Sequence, residues 1–258
     1  MTTKRSAHER FPEVIAAAVR VFARDGYRTA HMSDVAREAG LSEAALYRYV
    51  DGKESLFVLA IRHALLLEPL PGEDDPAGEF PLKAPPLTQM IREAREFVAA
   101  EVPFGALAAA LRPGPDIPGD PVDPAGELQL VMRELFALEE QTAKAADMIE
   151  RSARELPELA DLLNTGLRRP VLDALTEYLD SRAKTGKLRT TPDTAATARL
   201  VLETLTWFAR HRHSDPYGAA IPPDLAQETA VDALLHALVP SRYLGEPDAL
   251  EHDRGERP

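Results

Sequence analysis

Apolar positions in this 258-residue chain recur at helical spacing almost from its start, and no segment sustains the alternation of a half-buried strand. Phe11, Val14, Ile15, Ala18, Val19 and Phe22 fall three and four residues apart, which predicts a helix over about 11–25 with one buried stripe. Gly26 is placed to end it in a left-handed conformation, which costs a residue without Cβ little. Met32, Val35 and Ala36 give a short second helix its inner face. Gly40 closes that helix, Leu41 turns inward, and Ser42 is a good N-cap for a third. The third helix, Glu43 to Val50, is too short to persist except by packing. Its Leu46 and Val50 face the core, leaving Glu43, Ala44, Ala45, Tyr47, Arg48 and Tyr49 outward.

The helical pattern continues to the end of the chain. A fourth helix from Lys53 to about Leu67 carries Leu56, Phe57, Ala60, Ile61, Ala64 and Leu65 on one side. The proline-rich stretch that follows, up to Pro86, reads as a linker or ordered loop and marks a domain boundary. Next come a helix over 87–111 with a kink at Pro103, a second proline-rich loop to Pro124, and helices over 124–152, 157–184, 192–211 and 223–238. Several of these open on proline, where a missing amide hydrogen does no harm. The predicted class is all-α, with four parts: a head over 1–66, a linker over 67–86, a larger helical domain over 87–240 and a flexible acidic tail over 241–258.

The last two helices are apolar around most of their circumference, and such a helix must be covered on more than one side. Two readings stand. They are core helices of a monomer, or Val201, Leu205, Phe208, Val231, Leu234 and Leu238 meet a second copy of the chain.

The head has the sequence form of a helix-turn-helix, whose second helix enters the major groove of DNA. It resembles the DNA-binding domain of TetR-family transcriptional regulators. The likeness is carried by Gly26-Tyr27, Val35-Ala36, Ala39-Gly40-Leu41-Ser42, Leu46-Tyr47-Arg48-Tyr49-Val50 and Lys53-Glu54-Ser55-Leu56, about one fifth of the chain. The resemblance implies a homodimer on a palindromic double-stranded operator, with a helical body that holds a small apolar effector and pairs through its last two helices. It also implies that Tyr47, Tyr49 and Lys53 contact phosphates, while Ser33, Glu43, Ala44, Ala45 and Arg48 lie near bases or the flanking backbone. Repression released by effector is the family habit. Many members carry Thr or Ser where this chain has Ala30 and His31, so that phosphate contact passes to His31 or Thr29.

Each residue also has a plainer role. Tyr47 packs on the domain or reaches a phosphate through its hydroxyl. Arg48 is solvated, or forks onto guanine or phosphate. Glu43 sits at a helix N-terminus, where a carboxylate is favoured whatever it binds. Phe97, Phe104, Met132, Phe136, Met148, Tyr178 and Trp207 lie on helices that surround an effector cavity, or are simply core. His211, His213 and Asp215 form one cluster of metal-binding residue types, at a helix end where histidine is favoured and Asp-Pro starts a turn.

Composition sharpens this in two places. The net charge of −12 divides unevenly: residues 1–66 hold ten Lys/Arg against eight Asp/Glu, a net of +2, so the remainder carries −14. A near-neutral head on an acidic body suits a protein that touches phosphate at one end only. Lys4-Arg5 either reaches an adjacent groove or is a solvated tail. There are no cysteines, so no disulfide framework or thiolate metal site arises. Without an apolar signal core or a membrane-length apolar run, the expectation is a cytoplasmic protein without membrane contact.

The rival classes are an all-helical enzyme and a protein-interaction module. The chain has no His-Glu-x-x-His, no phosphate-binding glycine loop, no nucleophile elbow and no Glu-x-x-His pair, so no catalytic residue, resident metal or cofactor is expected.

Overall fold

The computed structural model describes residues 7–65, 80–112 and 123–244. Lys4-Arg5 and the tail beyond residue 244 lie outside the described residues, as does most of the expected 67–86 linker. Among the described residues the chain is helical, with a single isolated β-bridge between Val50 and Leu82.

Helix α1 (Ala7–Thr29) buries Phe11, Val14, Ile15, Ala18, Val19 and Phe22, as the spacing predicts. At Gly26 the backbone takes φ 78° and ψ 175°, so the main helix ends there and one further turn follows at a kink. α2 (Met32–Glu38), α3 (Glu43–Leu46) and α4 (Lys53–Ala64) complete the head. α3 stops four residues short of the expected Val50. Beyond Leu46 the chain tightens into three-residue bonds, Arg48 N–H to Ala45 O at 3.2 Å and Tyr49 N–H to Leu46 O at 2.9 Å.

Three segments expected as single helices are broken. Residues 87–111 form α5 (Leu87–Glu101) and α6 (Gly105–Leu111), parted at Pro103. Residues 124–152 form α7 (Pro124–Gln141) and α8 (Ala143–Ser152). Residues 157–184 form α9 (Pro157–Asp161), a π-helical stretch Leu162–Arg168 and α10 (Arg169–Lys184). Pro170 has no amide hydrogen for the carbonyl of Gly166, and the wider winding lies just before it. The last two helices are α11 (Thr194–Ala209), capped by Asp193 at 2.7 Å from Ala196 N, and α12 (Pro223–Leu238).

These breaks are where the chain changes compact unit. The first unit holds the described residues up to Glu101 together with Gln141–Pro170, and the second holds Val102–Glu140 and the described residues from Val171 onward. The partition expected at residue 86 therefore differs from the one observed: α5, α8, α9 and the π stretch belong with the head.

In the first unit α8 lies along α1, placing Met148 and Ile149 in one core with Phe11, Phe22, Leu56 and Phe57. Arg62 of α4 pairs with Glu93 of α5, and Arg95 of α5 with Asp161 of α9. In the second unit Met132, Phe136, Leu175, Tyr178, Val201, Leu205, Val231 and Leu234 share another core. There Arg182 reaches Glu127 at 2.7 Å and the Ala110 carbonyl at 2.9 Å, tying α10 to α7 and α6.

Candidate nucleic-acid interface

The helix-turn-helix is held by the glycine turn and the Ser42 cap that its sequence anticipates, and by two further contacts that it does not. The Leu41 amide donates to Ala36 O at 2.7 Å across a turn in which Gly40 has φ 64°, the left-handed region that glycine enters without strain. Ser42 Oγ accepts from Ala45 N at 3.2 Å and starts α3. The Asp34 carboxylate accepts from the His31 amide at 3.2 Å, and Arg20 of α1 pairs with Glu38 of α2 at 2.7 Å.

With Leu46 and Val50 fully buried, Ser33, Glu43, Ala44, Tyr47 and Arg48 are exposed, Tyr47 by 44%. Ala45 is half-buried. Hydroxyl, carboxylate, phenol and guanidinium groups are thus presented on and around a short helix with little steric bulk at its start, which suits reading base edges in a groove.

Two expected phosphate contacts are placed differently. Tyr49 is not outward: it is 7% exposed, and its ring meets Phe80 edge-on at 5.7 Å. The cause is non-local, because residues 80–84 run beside the turn after α3. The Leu82 amide donates to Tyr49 O at 2.8 Å, and the Asp51 amide to Leu82 O at 3.1 Å. Lys53 is half-buried and bends toward the end of α1. Its Nζ donates to Arg28 O at 3.0 Å and lies 4.8 Å from the centre of the Tyr27 ring. Desolvation there holds its ammonium below the ordinary lysine range.

Sequence reasoning also missed the groups that seat the kink in α1. Gly26 frees the amides after it, and these are captured from α8 and the turn beyond: Tyr27 N–H by Ser152 Oγ at 3.0 Å, Arg28 N–H by Glu155 at 3.0 Å. Nothing local in the sequence joins residues so far apart. A signal did exist for Phe80, a lone large aromatic among turn-forming residues.

The seven effector candidates do not gather. Met148 belongs to the first unit's core, and Phe97 is exposed on α5. Met132, Phe136 and Tyr178 sit together in the second core with Phe104 at its margin, while Trp207 is 38% exposed, with its ring 5.0 Å from that of Phe208. Burial, and Glu127 beside it, push the Tyr178 phenol far above its usual range. A separate open cavity of about 410 Å³ between α7 and α12 is lined by Gln129, Arg133, Glu228, Thr229, Val231, Asp232 and Leu235, a mostly polar set.

The six expected dimer residues need correction too. Val201, Leu205, Val231, Leu234 and Leu238 are buried within the protomer, and Phe208 is half-buried against the same core. The apolar groups that α11 leaves outward are Leu200, 61% exposed, and Trp207. At the helix end the Asp215 carboxylate accepts from the Tyr217 and Gly218 amides at 2.8 and 2.7 Å, the turn role of an Asp-Pro pair.

Comparison with known proteins agrees with this geometry. Residues 14–60 match the family model of bacterial regulatory proteins, tetR family. The HTH-type transcriptional regulator HbdR of Aromatoleum sp. (strain CIB) is 31% identical over 65 residues, which span 25% of this chain and only 28% of that protein. The solved structure of SmeT in complex with triclosan has a TM-score of 0.51 at 16% identity, covering 96% of this chain and 100% of that one. A HlyIIR mutant protein gives 0.51 at 14% identity, covering 91% and 99%. The family-model match lies in the head, and the likeness to the solved structures is one of fold alone. The head of the chain, over residues 14–60, is similar to the DNA-binding head of bacterial regulatory proteins, tetR family.

Proposed function

We propose that this protein is a sequence-specific, DNA-binding transcriptional regulator that acts as a homodimer in the cytoplasm and represses until a small, largely apolar effector binds. The observation that carries this reading is the helix-turn-helix itself. Its reading helix is capped by Ser42 and buried through Leu46, and Ser33, Glu43, Ala44, Tyr47 and Arg48 stand exposed around it. Each such helix covers one half-site, so a palindromic operator read by two copies follows from the size of the element.

Exposed Leu200 and Trp207 on α11 support the pairing surface, in place of the buried residues of the same helices. The effector site is proposed around Met132, Phe136 and Tyr178, with Phe104 at its edge; SmeT, similar in fold, is solved in complex with triclosan. Tyr47 and Lys53 supply phosphate contacts in this reading, and Arg48 reads a base or a flanking phosphate.

Selection of bound fragments from random double-stranded DNA tests the proposal. The expected outcome is enrichment of one palindrome. Arg48→Ala should then reduce the preference for it over unrelated DNA by about tenfold or more, the scale of one lost bidentate base contact. Unenriched recovery of all sequences would count against sequence-specific binding.

A further inference from the structure

The segment Phe80–Ala84 is bonded to the head at three places. Its backbone pairs with the turn after α3 through the Leu82 amide on Tyr49 O and the Asp51 amide on Leu82 O, at 2.8 and 3.1 Å. Its Phe80 ring lies 4.8 Å from His8, 5.4 Å from Phe11 and 5.7 Å from Tyr49, joining the first turns of α1 to the exit of the reading helix. Its Ala84 amide donates to Ser55 Oγ at 3.1 Å, in the first turn of α4, and both residues are buried. Exposure alternates along the segment, with 80, 82 and 84 inward and 81 and 83 outward, as in an extended strand laid on a surface.

α3 needs such support. It has four helical residues and cannot hold its own conformation; the turn over 47–50 takes up the carbonyls of Glu43, Ala45 and Leu46, but no helix continues past it to take up that of Tyr49. Ser42 fixes its start. At its exit, the carbonyl of Tyr49 is taken by Leu82, and the amide of Asp51 is tied back to the same residue. Tyr47, Arg48 and the beginning of α4 flank this turn, so its conformation sets where their side chains point.

We propose that residues 80–84 act as a strap that positions the reading helix for DNA, with Phe80 and Leu82 as its anchoring residues. This inference rests on the DNA-binding reading above. The strap acts through the turn at 49–51 and does not itself touch phosphate. α5 begins at Leu87, three residues beyond Ala84, so α5 is continuous with the strap and, through the strap's hydrogen bonds, linked to the turn after the reading helix.

The test compares the intact protein with Phe80→Ala on its selected operator, together with amide hydrogen exchange of the free proteins. In the intact protein the Leu82 and Asp51 amides should be protected. Phe80→Ala should speed their exchange and weaken operator binding by about tenfold, the scale of one hydrogen bond lost at each of two heads, with the salt dependence unchanged. If Phe80→Ala does not fold, Leu82→Pro carries the same test, since it deletes the amide on Tyr49 O and keeps an apolar side chain. Unchanged operator affinity in a variant whose amides have become unprotected would overturn the strap's role alone. A flattened salt dependence would overturn positioning in favour of direct contact. If the intact protein selects no DNA, the DNA-binding reading falls, and the strap's role falls with it.

Discussion

Lys53 has one ammonium group for the two contacts this reading asks of it. In the free protein it caps the carbonyl of Arg28 and rests on the Tyr27 ring, in a partly desolvated place. An ammonium carries three donors, so a phosphate at the start of α4 can be added without giving up the Arg28 bond. On this account Lys53→Ala weakens binding to all DNA sequences and flattens the salt dependence by about two in a dimer, at about 0.9 per phosphate contact. Salt titrations of operator affinity check this; an unchanged slope would remove Lys53 from the phosphate contacts. Tyr49 shows where such residue-level reading fails. Helical spacing places it outward, yet it is buried, because the group that covers it, Phe80, lies thirty-one residues away by numbering. Periodicity assigns a side of a helix and says nothing about which distant segment lies over it.

At the scale of elements, the head was legible because each signal there is local: an apolar stripe in α1, glycines at two sharp turns, and Ser42 before α3. The breaks near 102, 141 and 170 were less so. The apolar period runs on across them, and although Pro103 and Pro170 lie at two of the three, a proline inside a helical pattern does not say whether the helix kinks, widens or ends there. The same limit hid the attachment of α5 and α8 to the head, since long-range packing decides it. The α4–α5 contact offers a measurable consequence. Glu93 accepts from Gln89 and from Arg62, and these bonds hold its carboxyl below the ordinary value of 4.5. A depressed carboxyl stabilises the fold fully above 4.5, and that contribution is lost as the pH falls through the lower folded value. Thermal unfolding followed by calorimetry should therefore show a smaller loss of stability on acidification in Glu93→Gln than in the intact protein. Parallel curves for the two would contradict the assignment.

For the whole molecule, the burial pattern of α11 separates two sets of apolar residues that a helical wheel merges. Val201 and Leu205 close the protomer's own core, and Leu200 with Trp207 remains outward. Leu200→Glu should accordingly leave the fold intact, yield monomers at micromolar concentration by light scattering and abolish operator binding; a persisting dimer would move the interface elsewhere. Effector response is bounded by linkage. A hundredfold loss of operator affinity requires about 2.7 kcal/mol of coupling, and operator must weaken effector binding by the same factor. All of this presupposes that two heads read one site. Hydroxyl-radical footprinting on a selected DNA fragment tests that most directly. The account predicts two protected half-sites related by a twofold axis, with centres about 34 Å apart or a multiple of that along the duplex. A single protected site, or uniform weak protection without sequence preference, would contradict it.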